Sequence, residues 1–194
     1  RLSAKLLGLP LPYGMLQPPN DALDSEEFVR FLSITTNAAC HRDNRIEVLR
    51  NGEEFYRAEL HVIRGARKTL NLLFYEFLMG DVAAQFLDAL IERARAGVKV
   101  KLIVDAIGSF ATRDSYFNGL RAAGGRVEWY HALGWRTWTQ MDNRTHRKVM
   151  ISDGEIGFVG GAGVADCWMK AGAEGPAWRD TMLRVEGSAV GGLV

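Results

Sequence analysis

Between residues 69 and 130 the spacing of apolar positions switches repeatedly between strand and helix periods. "TLNLLFYEF" (69–77) reads as a strand. "DVAAQFLDALIERARAG" (81–97) sets Phe86, Leu87, Leu90, Ile91 and Ala94 along one side of a helix and stops at Gly97, a C-terminal cap signal. "VKVKLIVDA" (98–106) alternates and then turns fully apolar, as a strand buried on both faces would. "RDSYFNGLRAAGG" (113–125) shows Tyr116, Phe117, Leu120 and Ala123 on one helical face, and "RVEWY" (126–130) is another short strand. Strand, helix, strand, helix, strand predicts a parallel sheet with right-handed crossovers.

The flanks extend this picture. "RIEVL" (45–49) alternates like a strand and stops at Asn51-Gly52, and from Phe55 the positions Ala58, Val62, Ile63 and Ala66 continue at helical spacing. Upstream, "DSEEFVRFL" opens with Asp24 and has Glu27 three residues on, a capping-box spacing that predicts a short helix. Four of the five prolines fall in "PLPYGMLQPP", which reads as an extended arm. Near the C-terminus "KVMIS", the turn pair Asp153-Gly154 and "EIGFVGG" spell a β-hairpin. The expected organisation is an arm with a short helix over 1–44 and an α/β domain over 45–194. Its fold class is a mixed, largely parallel β-sheet flanked by helices, carrying that hairpin.

Composition narrows the function classes. Hydrophobic residues are 47% and charged residues 24% of the 194, an ordinary globular balance. Lys+Arg total 24 against 23 Asp+Glu, so no global field favours nucleic acid, and polyanion binding would need a local patch. "HALGWRTWTQMDNRTHRK" (131–148) is locally basic, with Arg136, Arg144, Arg147 and Lys148 against Asp142. It reads either as a solvated loop whose Trp135 and Trp138 cover the domain, or as a pocket wall or lip touching an anionic ligand. Cys40 and Cys167 have no metal-ligand spacing and read as reduced, mostly buried thiols of a cytosolic compartment. No apolar run approaches the roughly 18 residues that span a bilayer. The chain opens on Arg1, and it reads as a piece of something longer.

The chemistry concentrates in "THRKVMISDGEIGFVGGAG" (145–163). Alternation along a strand sends His146 and Lys148 to one side and Arg147 to the other. A rigidly mounted imidazole can act as nucleophile or general acid, and an ammonium beside it can neutralise charge developing on a phosphate oxygen. Each residue also has an ordinary structural reading. His146 is then a hydrogen-bonded strand end, Lys148 an edge charge that blocks aggregation, Asp153 a turn former, and Gly160 and Gly161 a bulge or close contact. Read together, they form H-x-K, four residues, D, and then G-G.

With "NGEEFYRAELHVIRGARKTLNL", "GVKVKLIVDAIGS" and "WRDTMLRVEGSAV" in the same order around it, this signature resembles the phospholipase D superfamily, and within it the N-terminal half of bacterial cardiolipin synthase-type members. The resemblance covers roughly residues 45–190. It implies an active site built from two such signatures, one histidine forming a phosphohistidine and the other protonating the leaving alcohol, with no metal or other cofactor. Mapped here, His146 is nucleophile or acid, Lys148 the phosphate clamp with Gly160 and Gly161 beside it, and Asp153 a supporting carboxylate. Glu76 and Asp105, at strand ends, are candidate pocket-lining residues together with Trp135 and Trp138.

The implied substrate is a phosphatidylglycerol-like phospholipid, met peripherally at the cytoplasmic face of the inner membrane; nucleic acid is not expected. Two departures stand out. Gly163 occupies the place of the family's usual asparagine, and only one signature is present, since His41, His61 and His131 have no lysine two residues on. The second half is therefore expected from the same longer chain or from a second copy. Two alternatives remain open at this point: a homodimeric metal-independent phosphodiesterase or nuclease, and a phosphate- or headgroup-binding module that has lost its chemistry.

Overall fold

The computed structural model describes residues 22, 25–131, 145–169 and 175–193. The chain forms two compact units, Arg1–Arg42 and Asp43–Val194. In the first, helix α1 (Glu26–Thr36) is capped by Ser25, whose Oγ accepts from Phe28 N at 3.1 Å. The cap is thus one residue later than the Asp24 spacing suggested, and Asp24 itself lies outside the described residues. Cys40 in this unit is exposed and Cys167 in the second is half-buried, so neither is the buried thiol that the sequence suggested. Cys40 falls in the segment following α1.

The second unit runs β1 (Asn44–Arg50), α2 (Asn51–Gly65), β2 (Thr69–Phe74), α3 (Asp81–Arg95), β3 (Lys99–Asp105), α4 (Asn118–Ala122), β4 (Arg126–Tyr130), β5 (Lys148–Ser152), β6 (Ile156–Gly160) and β7 (Thr181–Gly187). Seven strands form one mixed sheet in the order β1-β7-β6-β5-β2-β3-β4. The two β-α-β crossovers make β2, β3 and β4 parallel, and every other pairing is antiparallel. Asp153 (φ 54°) and Gly154 (φ 73°) both adopt left-handed conformations between β5 and β6. That is the backbone a two-residue primed turn needs.

Alternation decides where the core sits. Leu70, Leu72 and Phe74 of β2, Leu102 and Val104 of β3, Met150 of β5 and Phe158 of β6 face the helices, against Phe55 and Ile63 of α2 and Phe86 and Leu90 of α3. The opposite face carries a smaller cluster, Val149, Ile151 and Val185, covered by Val190 from a 3-10 segment, Ser188–Leu193. β3 is not buried on both faces as its apolar end suggested: Lys99, Lys101 and Ile103 point to an exposed side. The lysines, not the apolar run, carried the true signal of a half-exposed strand. The helix expected over 113–125 is a 3-10 turn, Asp114–Phe117, followed by five residues of α4. Gly124 (φ 94°) and Gly125 then turn the chain into β4.

β2 also stops short of its apolar run. After Phe74 the chain leaves the ladder, and side chains take over the backbone groups. Ser109 Oγ accepts from Phe77 N at 2.9 Å and donates to Tyr75 O at 3.1 Å, while Thr112 Oγ1 donates to Phe77 O at 2.6 Å. Among the described residues, no helix is long and apolar enough to cross a membrane.

Candidate active site

The site lies where β5 begins. Phe74 of β2 stands opposite Lys148, and continuing the β5/β6 register sets Gly160 on its other side. Lys148 shares the helix-covered face with Met150, so its stem runs along the core and the residue keeps only 3% of its surface. Its ammonium emerges at the strand end, as long cationic side chains do from apolar ground. Lys148 Nζ lies 3.0 Å from His146 Nε2 and 3.3 Å from Nδ1. An ammonium only donates, so the ring nitrogen it meets acts as acceptor.

Tyr75 completes the contact. Its ring centroid is 4.7 Å from that of His146, and Lys148 Nζ sits 5.3 Å from the tyrosine centroid, within cation–π range. Gly108, in the turn after β3, permits this placement: a Cβ there would fall 2.2 Å from Tyr75 O. Burial pushes the Lys148 ammonium below its usual range, and the negative charges of Glu76 and Asp180 oppose that fall. His146 itself is exposed, so the pair has one face open to a ligand.

Asp180 leads into β7 and reaches the site past Gly161. A Cβ at Gly161 would lie 2.5 Å from Asp180 Oδ1, so only glycine admits the carboxylate there without displacement. Gly160 allows a comparable approach of the β7 backbone, with Thr181 O 2.5 Å from its would-be Cβ. The segment after Gly161 is pinned by Tyr56. The Tyr56 hydroxyl donates to Gly163 O at 2.7 Å and accepts from Ala165 N at 3.3 Å. Burial raises the Tyr56 pKa far above the phenol's usual value, keeping this hydroxyl a donor. Asp166, three residues on, caps α3 by accepting from Asp81 N at 3.1 Å and Val82 N at 2.8 Å.

The residues singled out from sequence divide into three groups. His146, Lys148, Gly160, Gly161 and Glu76 converge on one end of the sheet. Asp153 does not join them. It sits at the far end of β5, five residues and roughly 16 Å along an extended strand from Lys148. Its Oδ1 accepts from Lys68 N at 2.7 Å and Thr69 N at 2.8 Å, and its Oδ2 from Arg67 N at 2.9 Å. Burial alone would raise its pKa, but those three N–H groups outweigh it and hold the carboxyl below the usual range. A surface cavity of 370 Å³ lined by His61, Arg67, Lys68, Glu155 and Arg184 also lies at this end, away from His146. Asp105 is fully buried at the end of β3, where Oδ1 accepts from Ile107 N at 2.9 Å and Gly108 N at 3.2 Å and shapes the turn that carries Gly108. Trp135 and Trp138 lie outside the described residues.

Sequence reasoning missed Tyr75, Asp180 and Tyr56. None has a local pattern, although "WRD" just before an alternating strand marks the same strand end as the signature. Among the described residues no group of three or more His, Cys, Asp or Glu side chains is placed to hold a metal ion.

Residues 60–167 match the family described as cardiolipin synthase, PLD-like domain, more than half of the chain. The chain belongs to this phospholipase D-like family. Cardiolipin synthase 1 of Staphylococcus epidermidis is 33% identical over 186 residues, which cover 93% of this chain and 36% of that protein. The major cardiolipin synthase ClsA of Bacillus subtilis is 32% identical over 168 residues, covering 86% of this chain and 35% of that protein. The phospholipase D-like chain thus spans about a third of the length of the curated relatives it matches. The crystal structure of a phospholipase D family member, Nuc from Salmonella typhimurium, superposes with a TM-score of 0.54 at 16% identity, over 75% of this chain and 84% of that one. That likeness establishes the shared fold.

Proposed function

We propose that this domain is one half of a phosphodiester-transferring site acting on phospholipid, of the cardiolipin synthase type. The observation that carries the reading is the ammonium of a buried lysine held 3.0 Å from an exposed imidazole at a sheet end. The kinship with proteins named cardiolipin synthase supports phospholipid as the substrate class; in this reading the lipid is phosphatidylglycerol-like and is met peripherally at a membrane surface.

In this reading an imidazole nitrogen attacks the phosphorus and forms an N–P bond as the ester P–O bond breaks. A second imidazole gives its proton to the departing alcohol. The hydroxyl of another lipid then attacks phosphorus, returns a proton to the second imidazole and breaks the N–P bond. Lys148 neutralises a phosphate oxygen as charge gathers in each transition state. Tyr75 restrains the His146 ring, and Gly160 and Gly161 let Asp180 close on the pair. The second histidine and lysine come from another part of the same longer protein or from a second copy.

The test is phosphatidyl transfer by the parent protein with and without His146→Ala. A loss of roughly a thousandfold or more is expected for a covalent nucleophile or obligatory acid. Unchanged turnover would exclude the reading.

A further inference from the structure

Among the described residues of the second unit, the exposed large apolar side chains fall in two places. Ile46, Val48 and Ile103 lie on the sheet face away from the helices, and Met79, Phe110, Met169 and Trp178 lie in loops. The pairing directions put those loops at one end. β2 and β3 are parallel and finish together, while β5 and β7 run against β2 and β6 and start where those finish. Met79 follows β2, Phe110 follows β3 and Trp178 precedes β7, so all three stand at the end of the sheet where His146 and Lys148 stand.

Each is close in sequence to a group that meets the site. Phe110 comes two residues after Gly108, where a Cβ would lie 2.9 Å from the Tyr75 ring. Trp178 comes two residues before Asp180. The loops that carry them are stapled. Ser109 and Thr112, on either side of Phe110, are buried and bonded to the 75–77 segment, and Thr112 N donates to Ser109 O at 2.8 Å. Phe110 is nevertheless 78% exposed. Leu78 N donates to Val164 O at 2.9 Å just before Met79. Trp178 N donates to Cys167 O at 2.7 Å, and its ring meets that of buried Trp168 edge-on at 5.5 Å, yet 55% of Trp178 is exposed. The fold thus fixes the bases of these side chains and holds their apolar surface outward.

We propose that Phe110, Trp178 and Met79 enter the interfacial layer of an anionic phospholipid bilayer and seat the His146 end of the sheet on it; this rests on the reading of His146 and Lys148 as a phospholipid half-site. Drawing a two-chain lipid into water exposes every methylene it buries, so a site for its phosphodiester gains by meeting the lipid in its leaflet. Aromatic rings suit that depth, where one part is apolar and the other wet. The charges agree. Arg113, Arg147 and Arg179 are exposed beside the apolar tips, and cations near an anionic surface add attraction. Exposed carboxylates at this end, Glu53, Glu54 and Asp81, belong to the first turns of α2 and α3, and Asp114 is paired with Arg121.

The experiment places single nitroxide labels on this chain, with Cys40→Ser and Cys167→Ser as background, through Phe110→Cys, Trp178→Cys or Glu155→Cys. Glu155 is exposed beside the β5–β6 turn, at the opposite end. With phosphatidylglycerol vesicles, the labels at 110 and 178 should become accessible to oxygen and shielded from a water-soluble nickel complex, while the label at 155 stays in water. The unlabelled double variant Phe110→Ser/Trp178→Ser should bind the vesicles roughly tenfold or more weakly, since both side chains would lose apolar burial. Labels at 110 and 178 that remain in water, whether the chain binds vesicles or not, overturn the proposal. So does their immobilisation without vesicles in a sedimenting dimer, which would make these tips a contact between two copies. The labels decide the matter alone should the double variant misfold. No turnover is read, so insensitivity of the parent protein to His146→Ala sinks the half-site reading separately.

Discussion

Asp153 and Thr69 hold each other twice: Thr69 N donates to Asp153 Oδ1 at 2.8 Å, and Asp153 N donates to Thr69 O at 2.9 Å. The carboxylate thereby fixes the start of β2 to the turn that ends β5. It acts on the opposite end of the sheet from His146. In the H-x-K-x4-D signature of this chain, the aspartate anchors the two central strands whose other ends carry Tyr75, Glu76, His146 and Lys148.

Asp153→Asn should cost about 1–3 kcal/mol, because charge-assisted bonds to three backbone N–H groups weaken or break. The pH dependence has a definite sign. The folded carboxyl titrates below its ordinary value near 3.8, so its stabilisation is present above that value and is lost as pH falls through the lower, folded one. Urea unfolding of the native chain should therefore show a stability loss below about pH 4 that is smaller in Asp153→Asn. Equal acid sensitivity of the two chains would deny Asp153 this anchoring role.

How far such an arrangement is legible beforehand depends on sequence distance. His146 and Lys148 are two residues apart, so strand alternation alone pairs them. Asp153-Gly154 announces its turn through residue type. What Asp153 binds lies 84 to 86 residues upstream, and no local pattern points there. Asp180 and Tyr75 reach the site only through the sheet order β7-β6-β5-β2, which arises from pairings remote in sequence. The parallel part of the sheet was readable because each β-α-β unit is a local repeat of periods. The extent of β2 was not, because Ser109 and Thr112 end it from another loop.

Gly163→Ala should destabilise by about 1–3 kcal/mol, since the new Cβ meets the carbonyl oxygen and Cβ of Glu76 at 2.7 and 2.8 Å. The oxygen is backbone, held by Val164 N, and cannot swing aside as a side-chain tip would. The shift should loosen the bridge between Phe77 and Val164 and retract Glu76 from the site. Gly65→Ala is the matched control, for nothing lies within 4 Å of a Cβ there and the helix accepts alanine. Thermal unfolding should lower the midpoint in the first variant and leave or raise it in the second. Equal midpoints would show that the 76–78 and 162–164 segments yield freely.

The most exposed weakness of the core is Glu59. It sits on α2 between Phe55 and Ile63 at helical spacing, keeps 1% of its surface, and its Oε1 has no hydrogen-bond partner among the described residues. Desolvation pushes its pKa up from 4.5 to about 8. Below pH 4.5 the carboxyl is neutral in folded and unfolded chains alike and costs nothing differential. Between there and about pH 8 the unfolded chain ionises while the folded one must stay protonated, so stability drains away as pH rises. The limiting slope for one proton is about 1.4 kcal/mol per pH unit, reduced by any water that reaches the carboxyl. Glu59→Leu removes the titration and suits the apolar ground between α2 and the sheet. Its unfolding midpoint should exceed the native one, with a gap that widens steadily from pH 5 to pH 8. A gap independent of pH would mean that Glu59 ionises in the folded chain with a partner, and that the core tolerates its charge.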